Sequence, residues 1–260
     1  MLKKILSVIT ITGVMVMFSC EMENVSKNEI PQSDLDAIAL RGFGTSDVIR
    51  MDDGYLVEGD ILLTHDFLNS STDNHKLLRI AEVEQYRTTN LVNGPRVITI
   101  SVSSQLPSSY VAAADEAIAR YNAQNLTLTF QRVSSGANIA LVKGNGQFLA
   151  SAGFPTSSGN PYGQVKVNSR AIGNQPQSTV ATILAHEIGH CIGFRHTDFM
   201  DRSYSCGGSP TNEGASSVGA ILIPGTPSGP DSGSWMLSCI GSGQNRPFNN
   251  NDRTALSYLY

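Results

Sequence analysis

A short motif with three spaced histidines constrains the structure of this 260-residue chain more than any other feature. Residues 186–196 read His-Glu-Ile-Gly-His-Cys-Ile-Gly-Phe-Arg-His. Since His186 and His190 are four residues apart, both imidazoles leave the same side of a helix and can reach one metal ion. Glu187 lies about 100° further round the helix, so its carboxylate can face a metal-bound water without binding the metal itself.

The same run supplies a turn and a third ligand. Gly193 can adopt the left-handed conformation that ends many helices, which lets the chain turn and bring His196 back to the metal. Three imidazoles leave the fourth position of a zinc ion open for water, which is typical of catalytic rather than structural sites. Three of the chain's five histidines belong to this run, so chance is a poor explanation for the spacing. The sequence predicts one catalytic Zn²⁺ and gives no indication about calcium.

The spacing HExxHxxGxxH resembles that of the metzincin zinc peptidases. Its HEIGH form resembles the dual-action HEIGH metallopeptidases of bacteria, over about residues 94–260. The resemblance implies an α+β fold, with a metzincin-like catalytic domain, a mixed twisted sheet, an active-site helix, a Met-turn and a C-terminal helix. It implies a zinc metalloendopeptidase with Glu187 as general base. It also implies that Met236, in Ser234-Trp235-Met236, supports the site without binding metal.

The apolar pattern of the same region predicts a mixed sheet covered by helices. Strands are predicted at residues 96–102, 126–133, 137–142 and 163–168, with an irregular edge strand within 144–159. Helices are predicted after Pro107, at 179–194 and at 251–260. Upstream, a further helix is predicted at 74–87.

The N-terminus indicates export. Lys3 and Lys4 precede an apolar stretch at 5–18, which is too short to span a membrane and fits the core of a signal peptide. Cys20 follows directly and resembles the acylated cysteine of bacterial lipoproteins, which predicts a lipoprotein-type signal peptide at 1–20 and a lipid anchor. The alternative is an ordinary signal peptide with Cys20 incidental. The first case gives a membrane-anchored lipoprotein, and the second gives a secreted protein.

Residues 21–93 are interpreted as a pro-segment or a spacer. The turn-forming sequence Asn93-Gly94-Pro95 marks the boundary with the catalytic domain at 94–260. Metzincins, by resemblance, are commonly made with a pro-segment group in the fourth zinc position. No cysteine lies between 21 and 190, so a thiolate could come only from an unlipidated Cys20. Otherwise a carboxylate must serve, and the sequence does not choose among Asp47, Asp52, Asp53, Asp60 and Asp66.

The remaining cysteines are Cys191, Cys206 and Cys239. Export permits disulfides, and a bond between Cys206 and Cys239 would pin the Gly-, Ser- and Pro-rich stretch that they flank. Cys191 lies on the apolar side of the active-site helix and is predicted to be a buried thiol. Pairing of Cys191 with either of the others stays open. The long stretch at 207–234 is expected to shape the specificity pocket, so the side-chain preference is not predicted.

Net charge and charge distribution exclude some partners. The net charge is −4 and no basic run follows residue 4, which argues against nucleic acid, because phosphate binding needs clustered Lys and Arg. The expected partners are protein or peptide substrates, and the expected state is a monomer. The alternative function is a non-catalytic, zinc-containing surface lipoprotein that binds matrix proteins. Such a protein has no need of Glu187.

Overall fold

The computed structural model of the chain describes residues 30–41, 43–69, 85–213, 220–227 and 230–260. The predicted signal peptide and Cys20 lie outside these residues. The strands are β1 (Ile49–Met51), β2 (Gly54–Val57), β3 (Ile61–Thr64), β4 (Tyr86–Arg87), β5 (Arg96–Val102), β6 (Leu128–Arg132), β7 (Ile139–Lys143), β8 (Ala150–Ser151), β9 (Gln164–Val167) and β10 (Ile221–Leu222). The helices are α1 (Gln32–Leu40), α2 (His65–Asn69), α3 (Ser109–Asn122), α4 (Ser169–Ile172), α5 (Gln177–Ile192), α6 (Ser203–Cys206) and α7 (Asn250–Leu259).

A mixed sheet forms the main body, which we define as the described residues from 85 onward. Its strand order is β6-β5-β7-β9-β8. The first four strands are mutually parallel, and β8 runs antiparallel to β9 at the edge. In β5 the alternation buries Ile98 and Ile100 completely, as the apolar pattern predicts. The predicted α+β class with a mixed sheet is confirmed.

Helices α3 and α5 pack against each other and cover the sheet. The interior of α5 is buried on almost every side, including Leu184, Ile188 and Ile192. The helix begins and ends two residues earlier than the predicted span of 179–194. It stops because Gly193 takes a left-handed conformation, with φ 114° and ψ 9°, and its N–H bonds back to the carbonyls of Gly189 and His190.

The described residues between 30 and 69 form a separate layer, which we call the N-terminal unit. Strands β1, β2 and β3 make a small antiparallel sheet with α1 and α2 beside it. Its core contains Ile38, Tyr55 and Ile61, and it includes one residue of the main body, Phe154. The N-terminal unit therefore has its own hydrophobic cluster and meets the main body at Phe154.

Residues 85–93, which the sequence places in the pro-segment or spacer, pack with the later residues of the main body rather than with the N-terminal unit. Strand β4 pairs with β10, Tyr86 packs edge-on against Phe199 at 4.3 Å, and Val92 joins the main core. The helix predicted at 74–87 is wrong for Tyr86–Arg87, which pair as a strand with the apolar residues of β10, and residues 74–84 lie outside the described residues. Within the part of the chain that is described, no helix is both long and apolar enough to cross a membrane.

Candidate metal centre and active site

Helix α5 and the turn after it bring three histidines together. His186 and His190 project from the same side of α5, with their Nε2 atoms 3.0 Å apart. The turn at Gly193 returns the chain, so that His196 joins them. One ligand atom from each of these histidines and one from Asp60 all lie within 4.8 Å of one another. Such a group can hold a metal ion, and it contains the three histidines that the sequence singles out.

The donor atoms of this cluster fit a cation. The Nδ1 atoms of His186 and His190 face the backbone carbonyls of Trp235 at 2.9 Å and Phe194 at 2.8 Å. Because a carbonyl oxygen can only accept, each Nδ1 must carry the proton, and each Nε2 presents a lone pair. Two lone pairs 3.0 Å apart repel unless a positive charge lies between them. Imidazole nitrogens with one carboxylate are a donor set that suits zinc.

Asp60 comes from the N-terminal unit, immediately before β3. Its Oδ2 lies 3.4 Å from Nε2 of His186 and 3.2 Å from Nε2 of His196. Burial works against the charge on Asp60, but the neighbouring histidines prevail and hold the pKa of its carboxyl well below the usual range. Among the five acids that the sequence could not separate, Asp60 is therefore the one at the cluster.

Two of the histidines have opposite electrostatic surroundings. For His190, burial and the neighbouring imidazoles of His186 and His196 lower the pKa well below its usual value, which keeps the ring neutral. Burial also opposes a charge on His196, but the carboxylates of Asp60 and Glu213 outweigh it and raise the pKa of His196 well above the usual range. The negative charge at this centre is therefore concentrated around His196.

Glu187 lies beside the cluster without a protein partner for one oxygen. Its side chain is buried, and none of the described residues donates a hydrogen bond to its Oε2. Burial raises the pKa of its carboxyl well above the usual range, and the charge of Asp60 raises it further. A buried carboxylate oxygen left open in this way is available to a water or a substrate group.

A cavity of about 220 Å³ opens next to Glu187 and His186. Its apolar wall includes Phe148, Ile183, Leu237 and Ile240, and Gly59 and Asp60 of the N-terminal unit also line it. The sequence led us to expect that residues 207–234 shape this pocket. None of the described residues in that range lines it, whereas residues 147–150, 235, 237–240 and 246 do.

The segment Ser234-Trp235-Met236 lies under α5. Met236 is fully buried, and a Cβ at Gly189 would come within 2.7 Å of its Sδ. The backbone carbonyl of Met236 accepts a hydrogen bond from the N–H of Thr197 at 2.9 Å. This segment therefore contacts both α5 and the chain beyond His196, and the glycine at 189 permits the close approach.

A disulfide joins Cys206 to Cys239, and Cys191 is buried and unpaired. Asp198 lies beside this bond: its carboxylate accepts the N–H and hydroxyl of Ser238, each at 2.9 Å, and the hydroxyl of Ser205 at 2.5 Å. The disulfide and Asp198 together fix the chain that follows His196 to the chain that follows Met236.

The edge of the main sheet is already paired with the N-terminal unit. The N–H of Leu62 donates to the carbonyl of Ala152 at 2.7 Å, and the N–H of Ala152 donates to the carbonyl of Asp60 at 3.0 Å. Ile61 and Ala152 thus form a parallel bridge just beyond β8. Residues 60–62 therefore run along this edge of the main sheet.

Sequence reasoning missed Glu213, whose carboxylate contacts Nδ1 of His196 at 3.1 Å. No sequence signal indicates it, because it is a single acid in a Gly- and Ser-rich stretch that begins after the histidine motif. Asp60 had a weak signal, since Glu58-Gly59-Asp60 lies between two apolar runs. That pattern marks a tight turn but not its contact with residue 196.

Comparisons with known proteins agree with the histidine spacing. A family model described as dual-action HEIGH metallo-peptidase matches residues 55–260. Two solved structures of myroilysin show a weak likeness with a TM-score of 0.41 each, at 14% and 15% sequence identity, and each covers 66% of this chain and 82% or 86% of the other. No curated protein matches the chain. Since the family model covers most of the chain, including the whole histidine cluster, the protein belongs to the dual-action HEIGH metallopeptidase family.

Proposed function

We propose that this metallopeptidase is a zinc-dependent endopeptidase that hydrolyses peptide bonds of extracellular proteins. His186, His190 and His196 hold the zinc through Nε2. When bound, zinc lowers the pKa of water to about 7 and polarises a carbonyl oxygen. The observation that carries the proposal is the convergence of three Nε2 atoms next to Glu187, a buried carboxylate that lines a cavity and has no partner for its Oε2 among the described residues.

Glu187 acts as the general base. Its Oε2 takes a proton from the attacking water and then delivers it to the amine of the leaving peptide. Burial raises the pKa of its carboxyl, so the ionised form is a stronger base than an exposed carboxylate. A base of this kind contributes about 10²–10⁴ in rate. The hydrogen bonds from Nδ1 of His186 and His190 to backbone carbonyls keep both rings in the required orientation throughout.

The substrate lies extended along β8 and the residues after it. Strand addition to this edge supplies backbone hydrogen bonds that do not depend on side chains. A side chain next to the cleaved bond enters the cavity between Phe148, Ile183, Leu237 and Ile240. Support for this path comes from Ala152, whose backbone N–H and carbonyl already pair with another chain segment in strand fashion.

We further propose that the N-terminal unit is the functional part of a pro-segment rather than a spacer. Asp60 would be a further ligand of the metal beside the three histidines, and residues 60–62 cover the substrate edge. Residues 85–92 belong to the mature enzyme, because they are bonded to later parts of the main body. The N–H of Thr88 donates to the carbonyl of Gly193, and the N–H of Arg195 donates to the carbonyl of Tyr86. The side-chain amide of Gln85 donates to Asp252. The sequence alone favours cleavage near the turn-rich residues Arg87–Arg96, but a cut there would divide a segment that is bonded to the main body. The proposed cleavage therefore lies between residues 69 and 85.

Export and anchoring are part of the proposal. Residues 1–20 direct export, and lipidation of Cys20 holds the enzyme at a membrane surface. Metabolic labelling with palmitate tests the anchor: the wild type takes up label and Cys20→Ala does not. Equal labelling of the two proteins would show that Cys20 is not the lipidated residue.

The decisive experiment measures cleavage of casein and elastin by the purified chain, before and after limited proteolysis, with and without a zinc chelator. Glu187→Gln is the matched variant, because it keeps the shape of the side chain but cannot accept a proton. With zinc content verified, it should lose more than about 90% of kcat, since a base contributes at least about 10²-fold. A wild type that binds zinc and matrix proteins but cleaves neither substrate would support the alternative, a surface lipoprotein that binds without cutting.

A further inference from the structure

The three histidines differ in what holds their Nδ1 atoms. His186 and His190 use backbone carbonyls. His196 instead faces a side chain: its Nδ1 lies 3.1 Å from Oε2 and 3.3 Å from Oε1 of Glu213. His196 is also the histidine outside α5, so no helix fixes its backbone. The one histidine of the three that lies outside α5 thus has a carboxylate partner.

Glu213 is built into the interior rather than resting on the surface. Its side chain is 2% exposed, and its backbone N–H donates to the carbonyl of Phe199 at 2.7 Å. Burying a carboxylate is costly unless it is paired with donors. The partners available are His196, the hydroxyl of Ser238 at 3.2 Å and Nε of Arg202 at 3.5 Å.

His196 is the nearest of these partners. The hydroxyl of Ser238 has one hydrogen, and it lies closer to Asp198, at 2.9 Å, than to Glu213, at 3.2 Å. When that hydrogen goes to Asp198, Glu213 depends on the N–H of His196 and on the charge of Arg202. Position and burial of Glu213 are therefore explained best by its contact with His196.

We infer that Glu213 is a positioning residue for the metal ligand His196. Its carboxylate accepts the hydrogen of Nδ1, which fixes the tautomer and turns Nε2 toward the Nε2 atoms of His186 and His190. An anionic partner also makes the imidazole a stronger donor. This inference rests on the proposed zinc site.

Asp60 does not replace Glu213 in this role. Asp60 contacts His196 at the other nitrogen, Nε2, on the side of the metal position, where it does not orient the ring. Asp60 also belongs to the N-terminal unit, which is proposed to leave on activation. Glu213 belongs to the main body and stays, so it acts in the mature enzyme as well as in the full chain.

The test compares zinc affinity and cobalt spectra of the full chain. Glu213→Gln keeps the size of the side chain and removes the charge, and Glu213→Ala removes both. Asp231→Asn is the matched control, since this acid holds the side chains of Asn249 and Asn251 and bonds to none of the described histidines. Competition with a chelator should give zinc affinity about 10–100-fold weaker for Glu213→Ala, about tenfold weaker for Glu213→Gln, and unchanged for Asp231→Asn.

A second readout separates positioning from mere stability. The visible spectrum of bound Co²⁺ reports the ligand field, so it should change in Glu213→Gln and stay unchanged in Asp231→Asn. Wild-type affinity and an unchanged spectrum in Glu213→Gln would overturn the inference, even if Glu213→Ala fails to fold. If the wild type itself binds no zinc, the proposed function fails first, and the two failures are thereby distinguished.

Discussion

Oδ2 of Asp60 lies 3.2 Å from Nε2 of His196, although the two residues belong to different layers of the fold. Since Nε2 is the atom that faces the metal position, a carboxylate here competes with the substrate. Asp60→Ala should therefore raise kcat/KM of the uncleaved chain on a small peptide by about tenfold or more, because activity scales with the fraction of molecules whose site is open.

The control for this prediction is Asp53→Ala. Asp53 also joins the N-terminal unit to the main body, through an ion pair with Lys166 at 2.9 Å, but it does not approach the histidines. It should leave the activity of the uncleaved chain near the wild-type value. Equal kcat/KM for the wild type and Asp60→Ala, with the absence of cleavage checked by gel, would favour a spacer role for residues 21–93.

His196→Ala should weaken zinc binding and abolish turnover together. Two imidazoles and water make a poor zinc site. The loss of zinc affinity should exceed about 100-fold, which is the upper end of the range for removing a residue that bonds only to a metal ligand. Chelator competition and peptide cleavage are measured on the same preparation. His65→Ala is the control, because His65 is exposed on α2 and should bind zinc as the wild type does. Full zinc occupancy with normal activity in His196→Ala would remove it from the ligand set.

The disulfide between Cys206 and Cys239 should stabilise the chain that carries His196. It closes a loop with a sequence separation of 33, for which the entropic estimate is about 3–4 kcal/mol. Replacing both cysteines with alanine should lower the free energy of unfolding by about this amount in urea titrations. Dithiothreitol should have the same effect on the wild type and none on the double variant. A reductant effect that persists in the double variant would point to another bond.

Local geometry explains which parts could be predicted from the sequence. The i, i+4 spacing of His186 and His190 and the glycine at 193 act within one helix and its end, so the sequence contains all that is needed. Strand β5 is likewise defined by its own alternation. Asp60 and Glu213 could not be identified from the sequence as partners of His196. Their contacts with His196 depend on how the edge of the sheet and a long loop fold back. The helix predicted at 74–87 failed at Tyr86–Arg87, where pairing with β10 outweighs helical spacing.

Gly189 and Met236 should be energetically coupled. A Cβ at position 189 would lie 2.7 Å from Sδ of Met236 and 3.2 Å from Nε1 of Trp235, so Gly189→Ala overpacks a buried contact at a cost of about 1–3 kcal/mol. Better helix propensity returns only about 0.5–1 kcal/mol. Met236→Ala leaves a cavity and should cost about 2–5 kcal/mol.

The double variant decides whether this contact is the cause. In Gly189→Ala/Met236→Ala the new methyl group enters the space that the methionine has left, so the combined loss of stability should be smaller than the sum of the single losses by about 1 kcal/mol or more. Thermal or urea unfolding of the four proteins, each freed of metal, measures the difference. Strict additivity would mean that Met236 does not restrict residue 189. The glycine of the HEIGH sequence would then need a reason other than close packing against Met236.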